Sequence, residues 1–423
     1  MRCVRGLSGR FRLALGPSMF ETFSHYLSYG ATDQQTVQEL VGSYDGLVVP
    51  GTVAAFQRQG TGGFVLALSA TQAGTKYVID PRFPLFQQPL LQPKKSHRAL
   101  AELLGVPELV SMRHPDPSDF VPERINTIAR NWVRFNVEYK GTSSSKFEKY
   151  ARRLQEPVAP TGAQPPSYIL APYAIATGLS SSWWDISTRL FDATCLRSTL
   201  STPCIRVVAA TEPKVLGELL EAVGEEPLVV WVSDLQELET PSDVLADYAI
   251  AIQEATARGQ DLFALYGGFF SVLLSSMGLK GSSHGIGYGE YRSWRELPQS
   301  GPPPARYYLP RVHRYVPQDL AYQLWLEDRS LAECDCGECQ GEPPIALEYH
   351  ALMKHSVLCR TQEIRQWVGR SASEMANDLS DEHESFLEAI DRARLPGVLQ
   401  RSAERYADHL PRWSGALRRS LAP

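Results

Sequence analysis

The 423-residue sequence contains no run of about 18 consecutive apolar residues, which excludes a membrane-spanning helix. Its formal net charge is only −5, so any attraction to nucleic acid must come from a local basic patch. Neither the P-loop pattern nor the dinucleotide-binding glycine fingerprint is present. Hydrophobic residues nevertheless make up 43% of the chain, which is enough to bury a sizeable core. Wholesale disorder, collagen and coiled coil are therefore excluded.

Residues 1–18 are basic with a short apolar stretch, but they lack the continuous apolar core and the cleavage site of a signal peptide. We therefore expect residues 1–40 to be a leader and an N-terminal helix, in a cytoplasmic protein. The seven cysteines are odd in number, and three of them fall within six residues. This pattern argues against a disulfide framework and favours a metal site in a reducing compartment.

Short apolar runs recur along the chain, and most are followed by an amphipathic stretch typical of a helix. The runs are LVVP (47–50), KYVID (76–80), YILAPY (168–173), IRVVAA (205–210), LVVWVSD (228–234), LFALYGG (262–268) and GIGYGE (285–290). Segment 305–316, ARYYLPRVHRYV, could supply an eighth strand. Repeated strand-then-helix units imply parallel strands with right-handed crossovers. The sequence therefore predicts an α/β fold, a (β/α)8 TIM-type barrel in preference to an open doubly wound sheet.

The predicted barrel spans residues 41–316 and is interrupted by a polar segment at about residues 91–166, which is proline-rich at both ends. We interpret this segment as an insertion after strand 2. From 317 to 423 the pattern is helical and charged, and this part carries the cysteine cluster. The sequence thus predicts a barrel followed by a C-terminal zinc-bearing helical region.

Cys334, Cys336 and Cys339 form a C-x-C-x2-C motif, which is followed by His350 and His355. Three thiolates on a tight turn and one imidazole from the next helix satisfy tetrahedral Zn²⁺ with no open position, so such a site is structural. The alternative is three free surface thiols, which would be prone to oxidation. The two histidines are five residues apart and diverge by about 140° on one helix, so only one of them should bind the ion.

Acidic residues end several of the predicted strands, where barrel enzymes keep their catalytic groups. Asp80 ends KYVID before a proline, Asp234 ends VVWVSD, and Glu290 ends GIGYGE. Any one of them could simply cap the following helix, but their joint placement favours a site. Glycines nearby would let the backbone approach a planar ligand or would make tight turns. The further candidates at these ends are Tyr173, Gly267, Gly268 and His284.

The stretch 292–314 is rich in arginine and contains one acid, Glu296. Arginine interleaved with tyrosine and tryptophan suits a phosphate backbone and unstacked bases, although a solvated loop face would look similar. The candidates for nucleic-acid contact are Arg292, Arg295, Arg306, Arg311 and Arg314.

Several of these segments together resemble the tRNA-guanine transglycosylase superfamily, including its DNA-modifying 7-deazaguanine branch. LVVPGTVAAF (47–56) resembles the strand-one Pro-x-Gly-Thr segment, and Asp80 in YVIDPRFPLF resembles the aspartate used in base recognition and proton transfer. WVSDLQELETP and LFALYGGFFSVLLSSMGLKG follow the order of the fifth and sixth βα units. Residues similar to the structural zinc ligands are Cys334, Cys336, Cys339 and His355. The resemblance covers most of residues 45–370.

This resemblance implies replacement of guanine by a 7-deazaguanine in DNA or tRNA through a covalent sugar–enzyme intermediate. GSSHGIGYGE departs from the family, because Ser283 or His284 stands where the nucleophilic aspartate is expected. Glu290, with His284 assisting proton transfer, or Asp234 could replace it, and Asp234 is the better suited to reading the base edge. The alternative is a non-catalytic barrel that binds nucleic acid or a partner subunit. The sequence also leaves open whether the protein forms a homodimer.

Overall fold

The computed structural model describes residues 22–30, 33–90, 92–110, 115–141, 144–199, 201–224, 226–295 and 304–422. The strands are β1 (Ser24–Ser28), β2 (Gly46–Pro50), β3 (Lys76–Asp80), β4 (Ile169–Leu170), β5 (Ile175–Ala176), β6 (Cys204–Ala210), β7 (Leu228–Val232), β8 (Leu262–Ala264), β9 (Gly281–His284), β10 (Arg306–Leu309) and β11 (Arg314–Pro317). The helices are α1 (Gln34–Glu39), α2 (Gly51–Phe56), α3 (Arg58–Ser69), α4 (Lys95–Leu104), α5 (Pro122–Glu138), α6 (Ser144–Ala151), α7 (Ser182–Cys195), α8 (Pro213–Glu221), α9 (Ser242–Ala257), α10 (Phe269–Leu273), α11 (Gln318–Glu327), α12 (Tyr349–Trp367), α13 (Ala372–Ala393), α14 (Gly397–Ala407) and α15 (His409–Ser420).

Strands β1 to β9 form one parallel sheet in the order β3-β2-β1-β9-β8-β7-β6-β4, and β5 pairs with β6 beyond the end of β4. Since β4 and β5 share one position, the sheet has eight strand positions. It curls into a nearly closed barrel, in which the amide of Ser167 donates to the carbonyl of Tyr77 at 2.9 Å and joins the segment before β4 to β3. The predicted TIM-type α/β barrel is confirmed.

Side chains alternate between the barrel interior and the outer helical layer, because successive residues of a strand point to opposite faces. The interior cluster comprises Tyr26, Val48, Val78, Tyr168, Leu170, Tyr173, Ile175, Ile205, Val207, Ala209, Val229, Trp231, Phe263, Leu265 and Tyr266. Leu27 belongs to the outer core. Because β9 pairs Ser283 with Tyr26 and His284 with Leu27, Ser283 faces the interior and His284 faces the helices.

Three strand predictions are corrected by the structure. The barrel starts at β1, before residue 41, and the predicted leader (residues 1–18) lies outside the described residues. GIGYGE is a loop, with φ of 75° at Gly287 and 80° at Gly289, and the strand is the preceding GSSH. Segment 305–316 contains most of an antiparallel hairpin, β10–β11, outside the barrel, because Pro310 and the left-handed His313 (φ 50°) break the run.

The predicted insertion lies at the expected place, between β3 and β4, but it follows the third barrel strand because β1 adds one. It contains α4, α5 and α6, and the indole of Trp132 on α5 donates to the carbonyl of Leu170 at 2.7 Å. Helices α11 to α15 form the C-terminal region, where α15 packs against α13 and α9. Within the described ranges, no helix combines the length and apolarity needed to cross a membrane.

Candidate functional site

Asp80 ends β3 at the carboxyl end of the barrel and is fully buried. Its Oδ1 accepts hydrogen bonds from the amide of Arg82 (3.0 Å) and the hydroxyl of Tyr173 (2.9 Å), and its Oδ2 accepts one from the hydroxyl of Tyr266. Arg82 adopts a left-handed backbone (φ 52°) and donates from Nη1 to the Tyr266 hydroxyl at 3.2 Å. Burial raises the pKa of both tyrosines, so they remain donors to Asp80 at neutral pH.

The loop after β9, residues 285–295, covers this group of side chains and is called the mouth loop below. The guanidinium carbon of Arg292 lies 4.5 Å from the ring centroid of Tyr266. The amide of Trp294 donates to Ser233 Oγ at 3.1 Å, and Gln88 Nε2 donates to the carbonyl of Trp294 at 3.1 Å. The mouth loop therefore joins the loops after β3 and β7, and a flat cation is already stacked on an aromatic ring beside Asp80.

Asp234 lies at the rim of the mouth with an exposed side chain. Its amide donates to the carbonyl of Arg292 at 3.1 Å, and its Oδ2 accepts a hydrogen bond from Ser233 Oγ at 2.6 Å. The backbone is left-handed, with φ of 64°, which is uncommon for a residue other than glycine and occurs preferentially at functional sites. The arrangement presents a solvent-facing carboxylate next to Arg292.

Glu237, which the sequence analysis missed, explains the glycines at the end of β8. Its Oε1 accepts hydrogen bonds from the Gly268 amide (2.9 Å) and Ser271 Oγ (2.7 Å), and its Oε2 accepts one from the Phe270 amide (2.9 Å). A Cβ at Gly268 would lie 2.6 Å from Glu237 Oε2, so no side chain fits there. Gly268 thus accommodates the carboxylate that caps α10, and Gly267 accommodates Ser271, whose Oγ would lie 2.1 Å from a Cβ there. The acidic run after β7 was the only sequence signal for Glu237.

Glu290 lies beside Gly268, where a Cβ would be 3.0 Å from its Oε2, and it is held by Arg360, whose Nη2 donates to its Oε1 at 2.5 Å. Burial raises the pKa of Glu290 to about 7, although Arg360 acts in the opposite direction. A cavity of about 200 Å³ opens in front of it, between the loop after β7, the mouth loop and the hairpin. Six of its lining residues matter here: Tyr288, Tyr291, Glu239, Glu290, Arg306 and Arg314.

His284 lies on the outer face of β9, so it does not point into the barrel interior, where it was predicted to assist proton transfer. Its Nε2 shares a hydrogen bond with Ser282 Oγ at 2.8 Å, and its ring packs edge-on against His25 at 5.0 Å. Burial lowers the pKa of His284 well below its ordinary value, so the ring is neutral. The register of β9 places Ser283, not His284, inside the barrel.

The five arginines predicted to contact nucleic acid fall into separate places. Arg292 and Arg295 belong to the mouth loop, and the guanidinium carbon of Arg295 lies 5.2 Å from the ring of Trp294. Arg306 and Arg314 line the neighbouring cavity. Arg311 instead bonds to the carbonyl of Ser330 at 2.9 Å and to Ser385 Oγ at 3.1 Å, so it fastens the hairpin to α13. Its predicted contact with nucleic acid therefore stays a prediction, although Nη1 and Nη2 already have partners within the protein.

Five possible metal ligands converge between the turn after α11 and helix α12. Nδ1 of His355 lies 3.4, 3.2 and 3.4 Å from the Sγ atoms of Cys336, Cys339 and Cys359, respectively. The Sγ atoms of Cys334 and Cys359 are 3.6 Å apart. Ligands of tetrahedral zinc are separated by about 3.5–3.8 Å, since Zn–S is about 2.3 Å and Zn–N about 2.0–2.1 Å. The buried cluster therefore has the dimensions of a tetrahedral metal site.

The orientation of His355 fits a metal ligand. Its Nε2 is 2.7 Å from the carbonyl of Tyr308, which fixes the proton on Nε2 and turns the Nδ1 lone pair toward the thiols. The four ligand atoms that all lie within 4.8 Å of one another belong to Cys334, Cys336, His355 and Cys359. The predicted set contained Cys339 and omitted Cys359, whose i,i+4 spacing from His355 was the available signal. His350, the alternative ligand, is exposed.

A buried charge network continues from Arg360 away from the cavity. Arg360 Nη1 lies 3.1 Å from Glu363 Oε2, and His313 lies between Glu363 Oε1 (2.6 Å from Nδ1) and Glu382 Oε2 (2.9 Å from Nε2). Burial alone would lower the pKa of His313, but the two carboxylates raise it to about 9. His313 is therefore a buried cation that joins the hairpin to α12 and α13.

This charge should make stability fall in mildly alkaline solution. The pKa of His313 in the folded protein lies above its ordinary value of 6.5. Its contribution to the free energy of unfolding is therefore complete below about pH 6.5 and is lost as the pH rises through about 9. From about pH 6.5 to about pH 9, the free energy of unfolding of the native protein should fall. We expect this fall to exceed the fall in His313→Gln by on the order of 1–3 kcal/mol. Urea unfolding at both pH values measures this. His383→Gln on α13 should behave like the native protein, and an equal slope in all three proteins would refute the assignment.

No protein-family model matches the chain, and comparison with curated proteins finds no match. The side chains at the mouth include a buried carboxylate surrounded by aromatic rings, Asp80, and an exposed carboxylate at the rim, Asp234. Arginine and tyrosine side chains line the neighbouring cavity. The thiol–imidazole cluster has the ligands to hold a metal ion.

Proposed function

We propose that the barrel mouth binds a base extruded from nucleic acid and exchanges it, replacing guanine with a 7-deazaguanine in DNA or tRNA as in tRNA-guanine transglycosylases. The observation that carries this proposal is Asp80, a buried carboxylate at a strand end, hydrogen-bonded by Tyr173 and Tyr266. A carboxylate in this position can accept N–H groups of a purine, and the aromatic surround suits its faces. The target nucleotide must be unstacked, which costs a few kcal/mol.

The mouth requires one rearrangement before a base can enter. Arg292 occupies the face of Tyr266, with its guanidinium carbon 4.5 Å from the ring centroid. A purine stacked on Tyr266 would displace this guanidinium toward solvent, where it could pair with a phosphate of the same strand. The purine would then stack on Tyr266 in place of the Arg292 guanidinium. The displaced guanidinium would gain a charge-assisted hydrogen bond to the phosphate.

We assign Asp234 as the nucleophile and Asp80 as the proton carrier. A carboxylate oxygen of Asp234 attacks C1′, the bond from C1′ to guanine N9 breaks, and its electron pair leaves with the base. Asp80 takes up a proton from solvent and delivers it to N9 of the departing guanine. It then takes a proton from N9 of the incoming 7-deazaguanine, whose nitrogen attacks C1′ and releases Asp234, and returns this proton to solvent. Both carboxylates end in their starting states.

Asp234 replaces Glu290 in this role for a physical reason. Arg360 donates to Glu290 at 2.5 Å, so the carboxylate of Glu290 is already occupied by a buried ion pair. Asp234 is exposed, is bonded through its backbone to Arg292, and faces the same mouth. Its free oxygen is available to a sugar carbon without breaking a buried ion pair.

The nucleic acid partner is proposed to run from the mouth along the neighbouring cavity. Tyr288 and Tyr291 are each 44% exposed, and Arg306 and Arg314 line the same cavity. Exposed aromatic rings beside guanidinium groups suit unstacked bases and their phosphates. The thiol cluster is proposed to hold one structural Zn²⁺, which would crosslink the turn after α11 to α12 and supply no catalytic group. Cytoplasmic location is likewise a proposal.

A second candidate function is a non-catalytic barrel that only binds nucleic acid or a partner subunit. It is favoured by the partners of Asp80, because three of the roughly four acceptor sites of this carboxylate are taken by hydrogen bonds from the protein itself. It is also favoured by the residues at the position where the family nucleophile is expected, Ser283 or His284, neither of which is a carboxylate. Both functions predict base or nucleic acid binding at the mouth, and they differ in whether a covalent intermediate forms.

Trapping of a covalent adduct tests the proposal. Guanine-containing single-stranded DNA and tRNA are incubated with the protein, denatured, and examined for a protein–nucleic acid species by gel and mass spectrometry. We expect an adduct in the native protein and in Glu290→Gln, and none in Asp234→Asn. Asp243→Asn, an exposed aspartate in the first turn of α9, is the matched control and should retain the adduct.

Each alternative has its own outcome. An adduct that persists in Asp234→Asn rejects Asp234. An adduct that disappears in Glu290→Gln but persists in Asp234→Asn and in Arg360→Lys restores Glu290 as the nucleophile. Nucleic acid binding without any adduct or exchange in the native protein favours the non-catalytic barrel. Nucleoside mass spectrometry of DNA and tRNA from cells with and without the gene then identifies which nucleic acid is modified.

A further inference from the structure

Helix α12 carries two sets of contacts on different faces. His355 and Cys359, four residues apart, face the thiol cluster. Met353, Ser356 and Arg360 recur at i, i+3 and i+7 and therefore share another face. At 100° per residue, the centres of the two faces are about 110° apart. Helix α12 therefore connects the thiol cluster to the part of the protein that contacts its second face.

That second face holds the start of the mouth loop. The amide of Gly287 donates to Ser356 Oγ at 3.2 Å. Gly287 has φ of 75°, and a Cβ there would lie 2.1 Å from Met353 Sδ, so the loop backbone packs directly on the helix. One turn later Arg360 binds Glu290. The loop is therefore fastened to α12 over two turns of the helix.

The far end of the mouth loop is fastened to the barrel instead, through the Arg292 carbonyl and the Trp294 amide described above. Arg360 is 3% exposed and follows Cys359 directly in sequence. Its guanidinium lies between the rings of Tyr308 and Phe269, at 5.2 and 5.4 Å from their centroids. Its position therefore depends on the position and rotation of α12.

We propose that metal binding at the thiol cluster orders the mouth loop through α12, with Arg360 as the positioning residue that transmits the effect. A metal ion crosslinks the turn at 334–339 to α12 and so fixes the helix against rotation. Arg360 then holds Glu290, and Glu290 holds the loop that places Arg292 and Trp294 over the mouth. By thermodynamic linkage, any ligand that binds only the ordered loop must also tighten metal binding by the same factor.

Hydrogen exchange measured by mass spectrometry on the full-length protein tests this coupling. The Zn²⁺-loaded protein is compared with protein stripped by a chelator and with stripped protein reloaded with Zn²⁺. We expect removal of the metal to lower protection of peptides covering 285–295 by roughly 5- to 150-fold, the range of ordinary allosteric coupling. Peptides from α5 (Pro122–Glu138), on another part of the molecule, should be unchanged, and reloading should restore the loop.

Two variants separate positioning from general stability. Arg360→Lys and Glu290→Gln should keep one zinc per chain while losing protection at 285–295 even when loaded. Arg365→Met, an exposed arginine of the same helix, should match the native protein in both readouts. The proposal is overturned if the stripped protein keeps its loop protection, if stripping unfolds the whole chain, or if Glu290→Gln keeps a protected loop. Since neither readout requires base exchange, failure of that activity leaves this test interpretable.

Discussion

Asp80→Asn should lower base exchange by about 100- to 10 000-fold, the usual loss when a positioned proton carrier is removed. The change is nearly isosteric, and the asparagine oxygen can still accept from the amide of Arg82. Its amide group then takes the place of Oδ2 and can donate to the hydroxyl of Tyr266, which reverses one hydrogen bond without emptying the site. The variant cannot carry a proton, so chemistry should fail while the fold survives. Incorporation of labelled 7-deazaguanine into DNA and tRNA measures the loss.

Asp243→Asn is the control for this experiment, and thermal unfolding by circular dichroism should show similar melting temperatures for all three proteins. Full exchange activity in Asp80→Asn would remove Asp80 from the mechanism. If the native protein has no exchange activity, calorimetric titration with guanine or single-stranded nucleic acid replaces the assay. The non-catalytic barrel then predicts that Asp80→Asn weakens base binding, because a carboxylate acceptor has become partly a donor.

Cys336→Ser should abolish stoichiometric zinc binding and strongly destabilise the C-terminal region. Structural Zn²⁺ sites bind with apparent free energies of about 10–16 kcal/mol in small peptides, and that energy contributes to folding. Cys336 is buried, and its Sγ lies 3.4 Å from His355 Nδ1, so a serine there leaves a poor ligand at the centre of the cluster. Elemental analysis should find one zinc per chain in the native protein, and the variant should show a lower melting temperature and soluble yield.

The matched control is Cys195→Ser, a free cysteine at the end of α7, which should change neither zinc content nor stability appreciably. Cys339→Ser and Cys359→Ser decide which of the five donors completes the site. In the Co²⁺-substituted protein, replacement of a cysteine that binds the metal should weaken or abolish the charge-transfer absorption of the coordinating thiolates. Replacement of the cysteine that does not bind should leave this absorption unchanged. Freshly purified native protein without stoichiometric zinc would refute the metal assignment.

Most barrel strands could be predicted because they are buried on both faces. LVVWV in β7 is buried at every position, so it reads as a continuous apolar run. β1 and β9 could not be found in this way. Their sequences, SHYLS and GSSH, are short and largely polar, and their burial depends on pairing with each other across more than two hundred residues. The apolar run next to β9, GIGYGE, is instead a loop that packs on α12.

The sequence by itself determined which chemical groups are available: the aspartate at the end of β3, the clustered thiols with a histidine, and the arginine-rich stretch. These groups can be recognised from the sequence because each is defined by residues that are close together along the chain. Only the tertiary structure decided which groups meet. A shift of one residue reverses the face of a strand, so Ser283 points inward and His284 outward. Cys359 joins the cluster, and Arg360 binds Glu290 of the mouth loop, because the fold brings α12 to both places. These contacts join residues far apart in sequence, and no local pattern encodes them.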